Sequence, residues 1–159
     1  MAASKHGSTA EIAEAIGEVL TGAGHEASVV PPEEIQDLEG YGAVVLGSAV
    51  YTGRWMKPAK ELAERLRDAL KDLPVWLFSS GPIGDPPKPE EDPVDVAEVM
   101  EATGAAEHRI FPGKLVKSEL GFGEKAIVLA LRAPEGDFRD WDEIQNWARG
   151  IAEELGSKE

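Results

Sequence analysis

A short polar loop near the start of the chain has the residue types that bind phosphate. It runs Ser4-Lys5-His6-Gly7-Ser8-Thr9 and leads into a predicted helix. Backbone N–H groups at a helix N-terminus donate hydrogen bonds to an anion, Ser and Thr hydroxyls add further donors, and the helix dipole favours negative charge. Gly7 allows a close approach of the backbone because glycine has no Cβ. The loop is a candidate phosphate site, and a helix cap without a ligand fits the local pattern equally well.

Two further loops follow apolar, strand-like runs and have small or polar residues. The first contains Ser48, Ala49, Val50, Tyr51, Thr52 and Gly53, and the second contains Ser79, Ser80, Gly81 and Gly84. In an open parallel sheet, ligands bind beyond the carboxyl ends of the strands, where such loops lie. Small residues permit close approach of the backbone to a ligand.

The elements that must position these loops alternate between short apolar runs and longer stretches of helical periodicity. This alternation is typical of an α/β domain with a parallel sheet. Strands are predicted at 27–30, 43–47, 75–78 and 107–111, helices at about 9–23, 58–71, 94–102 and 141–155, and a helical turn at 33–38. The apolar segment 123–132 fits a strand or a helix, and its opening residues Glu124 and Lys125 favour helix. A length of 159 residues without a linker predicts a single domain, 1–159.

The spacing of Ser4, Gly7, Thr9, Ala13 and Ile16 resembles the flavodoxin phosphate loop. Together with segments 47–53 and 136–141, it makes nearly the whole chain similar to flavodoxin-domain proteins related to menaquinone-dependent protoporphyrinogen oxidase. This resemblance implies a flavodoxin-like three-layer sandwich whose parallel sheet has the strand order 2-1-3-4-5.

The same resemblance implies FMN as the cofactor. Its phosphate would be held by Ser4, His6, Gly7, Ser8 and Thr9, and its isoalloxazine ring would be bordered by the loops at 48–53 and 79–84. Tyr51 would stack on that ring, and packing within the protein is the alternative role for this tyrosine. No catalytic acid or base stands out. An electron carrier serving a redox partner protein, a quinone-dependent protoporphyrinogen oxidase and a cofactor-free interaction module of the same fold therefore all stay open.

Two other groups of residues have a structural interpretation. Trp55 and Met56 follow the second loop and are expected to pack in the core at the start of a helix. Asp137, Asp140 and Asp142 precede or begin the last helix, where carboxylates cap the N-terminus and complement the helix dipole.

Composition excludes several function classes. The net charge of −14, from 30 acidic and 16 basic residues, disfavours nucleic acids and anionic membrane surfaces. The sequence contains no cysteine, which excludes disulfides, thiol catalysis and cysteine-ligated iron–sulfur clusters. Neither a membrane span nor a metal-ligand spacing is present in the sequence, and a cytoplasmic location is expected.

The chain departs from the family pattern at its start. Only Met1, Ala2 and Ala3 precede the phosphate loop, whereas the resemblance implies an apolar strand of about five residues there. We therefore expect a truncated first strand, with either a true start farther upstream or another segment in its place. This departure also motivates the cofactor-free alternative.

Overall fold

Strands and helices alternate along the part of the chain that the computed structural model describes, residues 1–3, 7–51, 54–81, 96–112, 114–115, 136–137 and 139–157. The strands are β1 (Ala2–Ala3), β2 (Val44–Tyr51), β3 (Arg54–Trp55), β4 (Val75–Ser80), β5 (Glu107–Phe111), β6 (Lys114–Leu115) and β7 (Gly136–Asp137). The helices are α1 (Ser8–Gly22), α2 (Lys57–Arg65), α3 (Arg67–Lys71), α4 (Val96–Thr103) and α5 (Trp141–Ser157), with a 3₁₀ turn at Pro32–Glu34.

Four strands form a parallel sheet in the order β1-β2-β4-β5. β3 adds to β2 in the antiparallel sense, and β6 pairs with β7 in a separate antiparallel ribbon. All six residues of β4 are buried, as expected for a parallel strand covered on both faces. The predicted α/β fold with a parallel sheet is confirmed.

The predicted strand at 27–30 is wrong. Residues 25–31 form no helix or strand, and Val29 is 43% exposed. In the order 2-1-3-4-5 this segment would pair with the first strand, and β1 offers only Ala2 and Ala3 as a partner. Because a strand needs a continuous row of backbone partners, so short an edge does not support a second strand beside it. The first strand is short, with two residues, as expected from the sequence.

Helices cover both faces of the sheet, which gives three layers. On one face, Leu46 and Leu77 pack with Leu62 of α2 and Val99 of α4. On the other face, Trp76 and Phe78 pack with apolar residues of α1 and α5, among them Ile12, Ile16, Ile144 and Ile151. Successive β4 residues enter opposite cores because strand side chains alternate between the two faces.

The predicted helix at 58–71 is interrupted at Leu66, which has φ −109° and ψ 22°. Hydrogen bonds from the Leu66 amide to Leu62 and from the Leu70 amide to Leu66, both 2.9 Å, carry the chain across the interruption. The helical turn predicted at 33–38 is shorter, spanning Pro32–Glu34. The segment 123–132 lies outside the described residues.

Asp140 caps the last helix, as predicted. Its Oδ1 accepts a hydrogen bond from the Glu143 amide at 3.1 Å, and its carbonyl oxygen accepts one from the Ile144 amide at 3.1 Å. These two contacts fix the start of α5 at Trp141, two residues after Arg139.

Candidate functional site

The carboxyl edge of the sheet brings the predicted site segments together. Ala3 of β1 pairs with Ser48 of β2, and Ser48 pairs in turn with Ser79 of β4. The chain after β1 and the ends of β2 and β4 are therefore neighbours at one edge, which is where parallel sheets bind ligands.

The N-terminus of α1 lies at this edge and has the geometry of an anion site. Gly7 is the N-cap, with φ +85° and ψ −13°, a left-handed conformation that glycine adopts without strain. Its carbonyl oxygen accepts the hydrogen bond of the Glu11 amide at 3.0 Å. The amides of Ser8, Thr9 and Ala10 precede this first helical bond, so the helix itself supplies no acceptor for them.

Thr9 has a buried hydroxyl without a partner among the residues that the structure describes. The residue is 0% exposed, and its Oγ1 makes no hydrogen bond within that part of the chain. Leaving a buried polar group unpaired costs about 1–3 kcal/mol. An acceptor placed at the start of α1 would satisfy this hydroxyl together with the helix amides.

The hydroxyls of Ser48 and Ser79 are engaged within the chain. Ser48 Oγ donates to the Ala49 carbonyl oxygen and accepts from the Met56 amide, both at 2.8 Å. Ser79 Oγ accepts from Trp55 Nε1 at 2.7 Å and forms a hydrogen bond with His108 Nε2 at 2.7 Å. Both serines are 0% exposed. They anchor the chain that returns from the loop after β2, and a contact with a cofactor stays a prediction for both.

Trp55 is 3% exposed and Met56 packs against the same core, so their predicted packing role is confirmed. His108 is the partner that sequence analysis missed at Ser79. Its distance of 29 positions along the chain leaves no local spacing signal for the pair.

The remaining predicted site residues that can be placed lie at the same edge. Ala49 and Val50 are buried in β2, and Ser80 is buried at the end of β4. Gly81 has φ +78°, and its amide donates to the Phe111 carbonyl oxygen at 3.0 Å. Tyr51 ends β2. Outside the described residues lie Ser4, His6, Thr52, Gly53 and Gly84.

Arg139 places a cation against the first turn of α1. Its Nη1 donates to the Ser8 carbonyl oxygen at 3.2 Å and to Glu11 Oε2 at 2.9 Å, and its side chain is 3% exposed. The guanidinium carbon lies 4.6 Å from the ring centroid of Trp141. The sequence predicted no role for Arg139 at this site, because 131 positions separate it from Ser8. The residue appeared only as part of the segment 136–141.

Within the described ranges, no group of three or more His, Cys, Asp or Glu residues is placed to hold a metal ion. Across that same part of the chain, every helix is too short or too polar to cross a membrane.

Solved structures share this fold. An archaeal flavodoxin aligns with a TM-score of 0.65 at 19% identity, over 98% of this chain and 95% of its own. Flavodoxin 1 from Bacillus cereus aligns with a TM-score of 0.58 at 16% identity, over 93% and 91%. Rubredoxin oxygen:oxidoreductase from Desulfovibrio gigas gives 0.67 at 14% identity, over 99% of this chain and 35% of that larger protein.

No curated protein sequence matches the chain significantly. Residues 1–142 match the family model of the flavodoxin domain, which covers most of the 159 residues. The parallel sheet, the helices on both of its faces and the sequence match all indicate the same family. The chain belongs to the flavodoxin-domain family.

Proposed function

We propose that this domain binds FMN and transfers electrons. The observation that carries the proposal is the buried hydroxyl of Thr9, which has no partner among the described residues and belongs to the first turn of α1. A phosphate at this position would accept hydrogen bonds from that hydroxyl and from the amides of Ser8, Thr9 and Ala10. Membership of the flavodoxin-domain family supports the same ligand.

The chain's own residues bind and orient the cofactor, and the flavin supplies the redox chemistry when bound. The groups that would contact the phosphate directly are neutral amides and hydroxyls, so a protein of net charge −14 could hold the dianion without a cation in direct contact with it. The ends of β2 and β4 would flank the flavin ring. Ser48 and Ser79 would fix the spacing of the two loops by holding Met56 and Trp55.

The partner and location belong to the same proposal. An acidic surface is suited to docking with a basic redox partner protein, because complementary charge speeds encounter. We place this exchange in the cytoplasm. Quinone-dependent oxidation of protoporphyrinogen is a narrower version of the proposal, which rests on the sequence resemblance described above. Turnover of protoporphyrinogen by the FMN-loaded domain with a quinone acceptor would separate it from simple electron transfer.

The test is a titration of the full chain with FMN, followed by the visible spectrum and by flavin fluorescence. Thr9→Val keeps the side-chain shape and removes the hydroxyl, so we expect FMN affinity to fall by about 10-fold or more, the equivalent of one hydrogen bond to a charged group. Riboflavin, which lacks the phosphate, should bind both proteins equally.

Thr103→Val is the matched control. Thr103 is also 0% exposed, but its Oγ1 donates to the Val99 carbonyl oxygen at 2.8 Å within α4. This variant should lose stability and keep its FMN affinity. A native chain that binds no FMN would overturn the proposed function in favour of a cofactor-free module. Native FMN affinity in Thr9→Val would exclude Thr9 from the phosphate site.

A further inference from the structure

Arg139 is buried between the start of α5 and the first turn of α1. Its side chain is 3% exposed and its guanidinium lies over the ring of Trp141. The cap formed by Asp140 fixes the backbone directly after it. The long side chain of Arg139 is thereby held in one orientation. Its conformational entropy is lost when the chain folds, and not when a ligand binds.

The hydrogen bond from Arg139 reaches an amide group that faces the candidate phosphate site. The Ser8 carbonyl oxygen, which accepts from Arg139 Nη1 at 3.2 Å, belongs to the same peptide unit as the Thr9 N–H. A cation that bonds to the oxygen of a peptide group polarises the group and strengthens its N–H as a donor. The Thr9 amide is one of the three without an acceptor in the helix.

The charge of Arg139 also acts directly. Because the guanidinium is removed from solvent, its field at the N-terminus of α1 is screened less than that of a surface arginine. It adds to the positive end of the helix dipole. Glu11 opposes it: its carboxylate lies 2.9 Å from Arg139 Nη1, and its side chain is 51% exposed.

We propose that Arg139 is a positioning residue that polarises the Thr9 amide and makes the start of α1 selective for a dianionic phosphate ester over an uncharged flavin. The inference rests on the FMN binding proposed above and deepens it. Glu11 limits the affinity by neutralising part of the charge of Arg139.

The experiment measures the dissociation constants of FMN and riboflavin for the full native chain, Arg139→Gln, Arg139→Lys and Glu11→Gln. Arg139→Gln should weaken FMN binding by about 10-fold, equivalent to about 1.4 kcal/mol, and leave riboflavin binding within about 2-fold. Arg139→Lys should recover most of the FMN affinity because it restores the charge. Glu11→Gln should tighten FMN binding severalfold while leaving Arg139 in place, which tests the proposal without removing a buried arginine.

A second readout follows the ionisation of the bound phosphate by ³¹P NMR. The second pKa of a phosphate monoester is about 6 in water. A nearby cation favours the dianion, so this pKa should be higher in Arg139→Gln than in the native complex. A residue that only supports the fold would not shift it.

The outcomes distinguish the two proposals. A native chain that binds neither flavin overturns the proposed function, and this inference fails with it. A native chain that binds FMN while Arg139→Gln loses FMN and riboflavin affinity in equal proportion overturns this inference alone, as does an unchanged FMN affinity in Arg139→Gln.

Discussion

Ser48 and Ser79 lie opposite each other in register across β2 and β4, and their hydroxyls hold the two residues that return from the loop after β2. Ser48 Oγ accepts a hydrogen bond from the backbone amide of Met56, and Ser79 Oγ accepts one from the indole N–H of Trp55. The serines thus use the ladder between two strands to fix the chain that leads into α2. Both hydroxyls are buried, and their hydrogen bonds stabilise the carboxyl edge of the sheet.

Replacing Ser79 with Ala should destabilise the domain. The change removes the acceptor of Trp55 Nε1 and the partner of His108 Nε2 in a fully buried position. We expect the free energy of unfolding, measured by urea denaturation, to fall by about 1–3 kcal/mol. In a Trp55→Phe background the indole N–H is already absent, so the same Ser79→Ala change should cost less. Equal costs in both backgrounds would contradict a shared hydrogen bond.

Gly47 should not tolerate a side chain. A Cβ at this position would lie 2.1–2.5 Å from ring atoms of Phe78, whose ring is held against Phe111 and Trp147 at centroid distances of 6.1 Å each. Gly47→Ala should therefore lower the unfolding free energy by about 1–3 kcal/mol, the usual cost of overpacking a core.

Gly150→Ala provides the opposite result as a control. Gly150 lies inside α5, and nothing is within 4 Å of the position of its Cβ. Alanine in an open helical position should raise the unfolding free energy by about 0.5–1 kcal/mol. Thermal unfolding of the two variants should shift in opposite directions. A stabilised Gly47→Ala would show that Phe78 has room to move.

The amine of Met1 should make the folded domain more stable as the pH rises from 6 to 8. Desolvation by burial lowers the pKa of the Met1 amine from its usual 8.0 to about 6, because the charged form is removed from water. Between pH 6 and 8 the unfolded chain binds the proton and the folded chain does not, so the contribution of this group to stability increases with pH. Below pH 6 the folded state carries the full penalty, about 2–3 kcal/mol at roughly 1.4 kcal/mol per pKa unit, and above pH 8 it carries none.

Acetylation of the Met1 amine isolates this effect. The acetylated chain keeps a donor for the Val45 carbonyl oxygen, which the amine contacts at 2.8 Å, and has no charge to titrate. The stability difference between the acetylated and free chains should be largest at pH 5.5 and vanish near pH 8.5. A difference that is independent of pH would show that the amine is not desolvated.

Local periodicity predicts the elements whose buried face is evident from their own sequence. β5 spans Glu107–Phe111 as predicted, and α1 and α5 begin within one residue of the predicted positions. The segment 27–30 has a strand-like sequence but no strand, because strand formation depends on a partner elsewhere in the chain. The interruption at Leu66 leaves the apolar stripe of Leu62 and Leu70 intact, so periodicity does not reveal it.

The location of the candidate site followed from topology, whereas its internal contacts did not. Parallel strands place their carboxyl ends at one edge, so the loops could be assigned to that edge from sequence. The partners of individual side chains come from distant positions: His108 for Ser79, and Arg139 for Ser8. Such pairs have no local spacing and require the folded structure.

The shortness of β1 has a consequence for the register of the sheet. Ala2 and Ala3 face opposite cores, and a slip by one residue would exchange two identical methyl groups, so side-chain pattern alone does not select the pairing. The observed pairing joins Ala2 to Gly47 and Ala3 to Ser48, and bonds of Met1 with Val45 and Gly47, each 2.8 Å, extend it by one residue. A slip would move the first turn of α1 by about 3.3 Å relative to β2. The position of the candidate site relative to β2 therefore depends on this short stretch of main-chain pairing.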